Sequence, residues 1–158
     1  GYEDTTNGSQ VGYTDEPFVE NGIVHGGRQS MPFSYDNTQS LFKSTATREF
    51  ATAQDWTVNG MTDLVLFVRG IPTNTVQPTD TLFVTVEDEA GKTASASYAD
   101  TSALLVSIWT PVTFPLSSFA GVDVTQVKKM SLGVGSLTAP AAGGVGQIYI
   151  DDIRVVKP

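Results

Sequence analysis

The chain has 158 residues, with 9 Lys+Arg against 17 Asp+Glu, a formal net charge of -8 and no cysteine. That length suits one domain burying roughly two-thirds of its unfolded surface in a single core. The lack of cysteine excludes a disulfide framework, a thiolate metal site and a thiol nucleophile, while the acidic balance argues against nucleic acid and anionic lipid as partners.

Residues 1–22 are polar and turn-rich, with Asn7-Gly8, Gly12, Pro17 and Asn21-Gly22 as breakers, and predict loop with one or two short strands. Residues 30–36 follow the Gly26-Gly27 turn and read as a strand that carries Met31, Phe33 and Tyr35 on one face. Pro32 marks its beginning or an edge. A weaker strand covers 46–51, and a turn follows over 55–60. Leu64 to Arg69 is a near-continuous apolar run, the pattern of a central strand covered on both faces. Its apolar length is far short of the ~20 residues that span a bilayer.

Residues 81–87 alternate with Leu82, Val84 and Val86 inward, and Asp88-Glu-Ala-Gly91 is a turn signal that pairs them with 92–98 as a hairpin. Residues 100–106 form a short helix or a single turn capped by Asp100. Strands over 108–116, 129–134 and 146–156 complete the chain, with a small-residue loop at 135–146. Eight or nine strands with almost no helix predict an all-β, two-sheet antiparallel sandwich. The initial Gly1, abundant small polar residues and scarce lysine read as a piece processed or excised from a larger extracellular protein.

The closing strand carries a phase break. Ile148 and Ile150 alternate, as do Ile153 and Val155, but the two pairs are out of phase across Asp151-Asp152. A β-bulge at the acidic pair restores burial of both and re-aims a carboxylate. An aimed carboxylate calls for a partner, and Ca²⁺, which takes six to eight oxygens, is the candidate. The bland alternative has Asp151 and Asp152 bonded to backbone amides and arginine.

Tyr149-Ile-Asp-Asp-Ile-Arg154, with Val24-His-Gly-Gly-Arg-Gln-Ser-Met-Pro32, Tyr35-Asp-Asn37, Asp55-Trp56, Asn59-Gly60 and Trp109, resembles the jelly-roll, galactose-binding-like domains of carbohydrate-binding-module type. These belong to secreted bacterial polysaccharide-acting and cell-surface proteins, here of a planctomycete-like version. The resemblance implies a structural Ca²⁺ where the first and last strands meet, held by Asp151 or Asp152 and the Gly27 to Ser30 turn. Related domains open with an additional acidic strand that is missing here. Part of that site and one strand are thus lost, rebuilt from Glu3 or Asp4, or supplied by another chain.

Sugar recognition needs flat apolar faces flanked by planar polar groups. Tyr2, Tyr13 and Tyr98 lie in polar surroundings and are platform candidates, with Trp56, Arg69 and Asn74 as further ligand-binding candidates; Trp109 is expected in the core. A sulfated or uronic ligand would engage Arg28, Arg48, Arg69 and Lys92. His25 is the sole histidine, so no zinc site or Cys–His pair of ordinary composition can form, and it reads as a turn residue bonded to backbone. Acids such as Glu87 and Glu89 could be nominated as a hydrolase pair, but nothing in their spacing distinguishes them from solvated turn residues, and Gly143-Gly-Val-Gly146 is no phosphate loop, so the chain reads as no enzyme. The primary expectation is a non-catalytic polysaccharide-binding module attached to catalytic or surface domains. The alternative is a structural subunit assembled by strand addition at an open sheet edge.

Overall fold

Period-two alternation decides which side of each strand is buried, and the sheets assemble around that choice. The computed structural model describes residues 2–3, 7–38, 42–138 and 141–158, without the side chains of Tyr2 and Glu3. The strands are β1 (Tyr2–Glu3), β2 (Gln10–Val11), β3 (Met31–Asp36), β4 (Lys43–Gln54), β5 (Asp63–Arg69), β6 (Thr81–Asp88), β7 (Thr93–Tyr98), β8 (Thr110–Pro115), β9 (Val127–Gly135) and β10 (Val145–Val156). They form two antiparallel sheets, ordered β1-β2-β3-β10-β5-β8 and β4-β9-β6-β7, so the all-β sandwich expected from the sequence is the observed architecture.

Phe33 and Tyr35 of β3, Leu64, Leu66 and Val68 of β5, and Ile148 and Ile150 of β10 face Leu82, Val84 and Val86 of β6 and Leu132 and Val134 of β9 across one core. Each such side chain contributes about 1.5–3 kcal/mol by leaving water. The strand expected at 46–51 is longer, running over Lys43–Gln54, because its pairing to β9 starts at Lys43↔Gly135 and, after a break in register beyond Glu49, resumes at Gln54↔Val127. The expected helix is a 3₁₀ turn over Thr101–Leu104, whose N-cap Asp100 accepts the Ser102 amide.

Gly133 shows the closeness of packing in the four-stranded sheet. A Cβ there would stand 2.2 Å from the Ser44 carbonyl oxygen and 2.7 Å from Phe83 Cζ. Only glycine lets the Phe83 ring lie against β9 at that point.

Carboxylates tie the loops to this frame. Asp88, 2% exposed, accepts the Asp123 amide at 2.9 Å and the Lys92 amide at 3.0 Å. These donors, that of Asp123 foremost, hold its carboxyl below the usual carboxylate range. Glu20 is lowered chiefly by the Tyr13 hydroxyl and then by the Gly22 amide. A depressed folded-state pKa contributes stability that is complete above the unfolded carboxylate pKa, about 4, and is lost as pH falls through the folded value. Melting temperature should therefore be flat near neutrality and drop as pH falls through the carboxylate range. Asp88→Asn should be less stable at neutral pH with a shallower acid decline; an unchanged acid slope in thermal melts would assign the acid sensitivity elsewhere.

Candidate functional site

The bulge inferred from the phase break is present in β10. Its register on β5 runs through Asp151↔Phe67, resumes at Arg154↔Val65, and Asp152 adopts φ 47°, a left-handed conformation that costs a non-glycine residue about 1–2 kcal/mol. The bulge is held by the loop before β3, which folds back over the outer face of the six-stranded sheet. Asp151 Oδ2 accepts the amides of His25 at 2.8 Å and Gly26 at 3.2 Å, and its Oδ1 accepts the Asp152 amide at 2.8 Å. Asp152 Oδ2 lies 2.6 Å from His25 Nδ1, so the imidazole donates to a carboxylate rather than to backbone. Gly26 lets this carboxylate come close: a Cβ there would meet Asp152 Oδ2 at 2.7 Å and displace it.

His25 stacks on Phe67 with ring centroids 3.6 Å apart and an interplanar angle of 17°, and meets Trp109 edge-on at 5.7 Å. Arg154 holds its guanidinium 5.9 Å from the Phe67 centroid. The register aligns Tyr149 with Arg69 and Asp151 with Phe67, then Pro111 of β8 with Phe67 and Thr113 with Val65. On the β3 side this outer face is covered. Tyr149 is only 7% exposed, and Tyr13 packs beside it with its hydroxyl donated to Glu20. Burial, then that hydrogen bond, raises the Tyr13 hydroxyl pKa. On the β5 and β8 side the face is open, and its rim carries Trp109, half-buried, and Ile108, 70% exposed.

The expected site residues fall in different places. Arg69 reaches this outer face. Trp109, expected in the core, is instead part of the outer aromatic cluster, because it precedes β8 on the side of Pro111 rather than of Val112. Trp56, a ligand candidate, is 7% exposed and belongs to the core. Tyr98 pairs with Leu82 and packs against the core from the opposite sheet, so it joins no platform with Tyr13. Asn74 is consumed structurally: its Nδ2 donates to the Leu104 and Gln147 carbonyls, both at 2.8 Å, and its Oδ1 accepts the Gln147 amide. The side chain of Tyr2 lies outside the described residues. Arg28, Arg48, Arg69 and Lys92 sit respectively on the loop before β3, on β4, on β5 and in the β6–β7 turn, and make no common anion site. Sequence reasoning missed Phe67 and His25; the signal was the odd-numbered apolar residue in a strand whose even positions already filled the core.

Among the described residues, the groups around the acidic pair do not assemble a Ca²⁺ site. The carboxylates of Asp151 and Asp152 face N–H groups, whereas the ion needs oxygens. Ser30 Oγ donates to the Ile23 carbonyl at 2.6 Å and is buried, and Gly27, with φ 66°, serves the turn. Among the described residues no three His, Asp or Glu side chains are grouped to hold a metal; Asp4 and the Glu3 side chain lie outside them. The acidic pair instead clamps a loop. Asp151→Ala should strip the acceptor from three amides and cost about 1–2 kcal/mol, since charge-assisted bonds are strong but these are partly solvated. Urea unfolding with and without Ca²⁺ tests this, and a calcium-dependent gain in stability lost in Asp151→Asn would restore the cation reading.

No protein-family model matches the sequence, and no curated protein does. Among solved structures, a domain of an exo-β-agarase matches with a TM-score of 0.65 at 13% identity over 96% of this chain, which spans 23% of that protein. A family 30 carbohydrate-binding module of a cellulosomal cellulase from Clostridium thermocellum matches with 0.59 at 12% identity, covering 98% of this chain and 94% of the other. The family 11 module of Clostridium thermocellum, solved with a β-1,3-1,4-mixed-linked tetrasaccharide, matches with 0.55 at 14% identity, covering 97% and 89%. At these identities the likeness is one of fold: the chain has the two-sheet jelly-roll β-sandwich of carbohydrate-binding modules.

Proposed function

We propose that this chain is a non-catalytic polysaccharide-binding module and that it binds through the open half of the outer face of its six-stranded sheet. The observation that supports the reading most is the agreement of its fold with carbohydrate-binding modules over nearly its full length. The chemistry of the face agrees with it. Trp109 and Ile108 offer apolar surface for the C–H faces of sugar rings, and Arg69 is a planar hydrogen-bond donor beside them. His25, fixed by Asp152 and stacked on Phe67, stiffens the platform, so little conformational entropy is lost on binding.

Hydrolysis is not part of this reading. The two acids nearest the platform are engaged by amides and by His25, so neither stands ready as a general acid or as a nucleophile across a cleft. The module would hold an attached polysaccharide-acting enzyme, or a cell surface, near its substrate in the extracellular space. Among the described residues no helix is long and apolar enough to cross a membrane.

Isothermal titration with mixed-linkage β-glucan, non-crystalline cellulose and agarose oligosaccharides tests the reading. At least one should bind, and Trp109→Ala should weaken that binding about tenfold or more, the scale of a well-placed interfacial tryptophan. Silence across plant, algal and microbial glycans would overturn the function. Binding untouched by Trp109→Ala would move the site to another face.

A further inference from the structure

Neutral sugars differ mainly in where their hydroxyls point, so a module tells one glycan from another by the hydroxyls it can hydrogen-bond. The outer-face platform holds a polar group suited to that task. His25 has one ring face on Phe67, with centroids 3.6 Å apart, and its Nδ1 lies 2.6 Å from Asp152 Oδ2. Its main-chain amide is held at 2.8 Å by Asp151. The imidazole is therefore fixed through both ring and backbone, yet its side chain stays 30% exposed. The second ring nitrogen, Nε2, has no hydrogen-bond partner among the described residues.

Asp152 decides what Nε2 can do. An ionised carboxylate only accepts, so the neutral imidazole places its proton on Nδ1 and leaves a lone pair on Nε2. Trp109 stands beside this ring at 5.7 Å and 68°, which sets an apolar indole next to the acceptor. Arg69 on the same face, and the Arg154 guanidinium near Phe67, only donate, and Nε2 supplies the complementary function. These two cations are matched in number by Asp151 and Asp152, which are engaged by amides and by His25 itself. Charge therefore does not draw an anionic glycan to the platform.

We infer that His25 is a specificity-determining residue of the glycan site: a sugar ring packs its C–H face on Trp109 and donates a free hydroxyl to His25 Nε2. The inference rests on the reading of this face as the glycan site. It makes the ligand a neutral glycan whose hydroxyl at that point is unsubstituted. An O-methyl or O-acetyl group there removes the donor, and a sulfate sets negative charge against the lone pair.

His25 is the sole histidine, so its two ring nitrogens give unambiguous signals in long-range proton–nitrogen NMR spectra. In the free protein at about pH 8, above the ordinary imidazole range, Nδ1 should show the shift of a protonated nitrogen and Nε2 that of an unprotonated one. The probe is whichever of mixed-linkage β-glucan, cellulose and agarose oligosaccharides binds most tightly in calorimetry. At saturation it should move the Nε2 signal upfield, as that nitrogen accepts a hydrogen bond, and leave Nδ1 in place. His25→Phe keeps a ring on Phe67 and removes Nε2; it should weaken binding about fivefold, the scale of one neutral hydrogen bond. O-methylation of the same glycan should weaken binding to the unsubstituted protein by as much or more. An oligosaccharide that binds without moving Nε2, a free protein with its proton on Nε2, or equal binding of the O-methylated glycan would overturn the inference and leave the binding function standing. Silence of every glycan in calorimetry would instead overturn that function, and the inference with it.

Discussion

The clamp between the β10 bulge and the loop before β3 is the constraint on which the rest of the outer face depends. A carboxylate that accepts two amides from a distant loop converts a local irregularity into a long-range tie of more than 120 residues in sequence, since His25 and Asp151 are 126 apart. The strained backbone of Asp152 is tolerable because the surrounding contacts determine it: its carboxylate has His25, and its amide has Asp151. Loop position, imidazole orientation and the stacking on Phe67 follow from that tie.

The same bulge organises the opposite side of the strand. Up to Ile150, β10 lies between β3 and β5; past the bulge it keeps β5 and loses β3. One inserted irregularity therefore builds a rigid aromatic face outside the sheet and opens an apolar groove at its edge. The two features differ in chemistry. The face offers flat apolar surface with planar donors, while the groove is floored by aliphatic side chains such as Met31, Ala46 and Leu132.

Acidic side chains in this protein act mainly as acceptors for backbone donors. Asp88 joins the β6–β7 turn to the loop at Asp123, Asp80 receives the amides of Gln77 and Gly144, and Glu20 closes the turn at Gly22 and Ile23. With no cysteine and short ladder elements near the N-terminus, these charge-assisted ties hold loops that would otherwise be secured by little but main-chain bonding. The acidic pair at 151–152 belongs with them, its described partners being backbone amides and His25.

Alternation and turn chemistry act locally, so the sequence by itself determined the strands, the hairpin at Asp88 to Gly91 and the two-sheet class. It also pointed to the bulge, through the phase break between the pair Ile148 and Ile150 and the pair Ile153 and Val155, although the bulge leaves Ile153 40% exposed rather than buried. What faced the bulge was decided by tertiary structure alone. A sequence shows that a carboxylate is aimed and does not show whether amides or oxygens await it. The same limit governed the aromatics: Trp109 and Trp56 differ little in local context, yet one precedes β8 on its outer side and the other lies under β4 and β10. Arg69 was legible because it extends an alternating strand outward. Asn74 and Tyr98 were not, since their partners, Gln147 and the core behind Leu82, lie on strands that only the fold brings beside them.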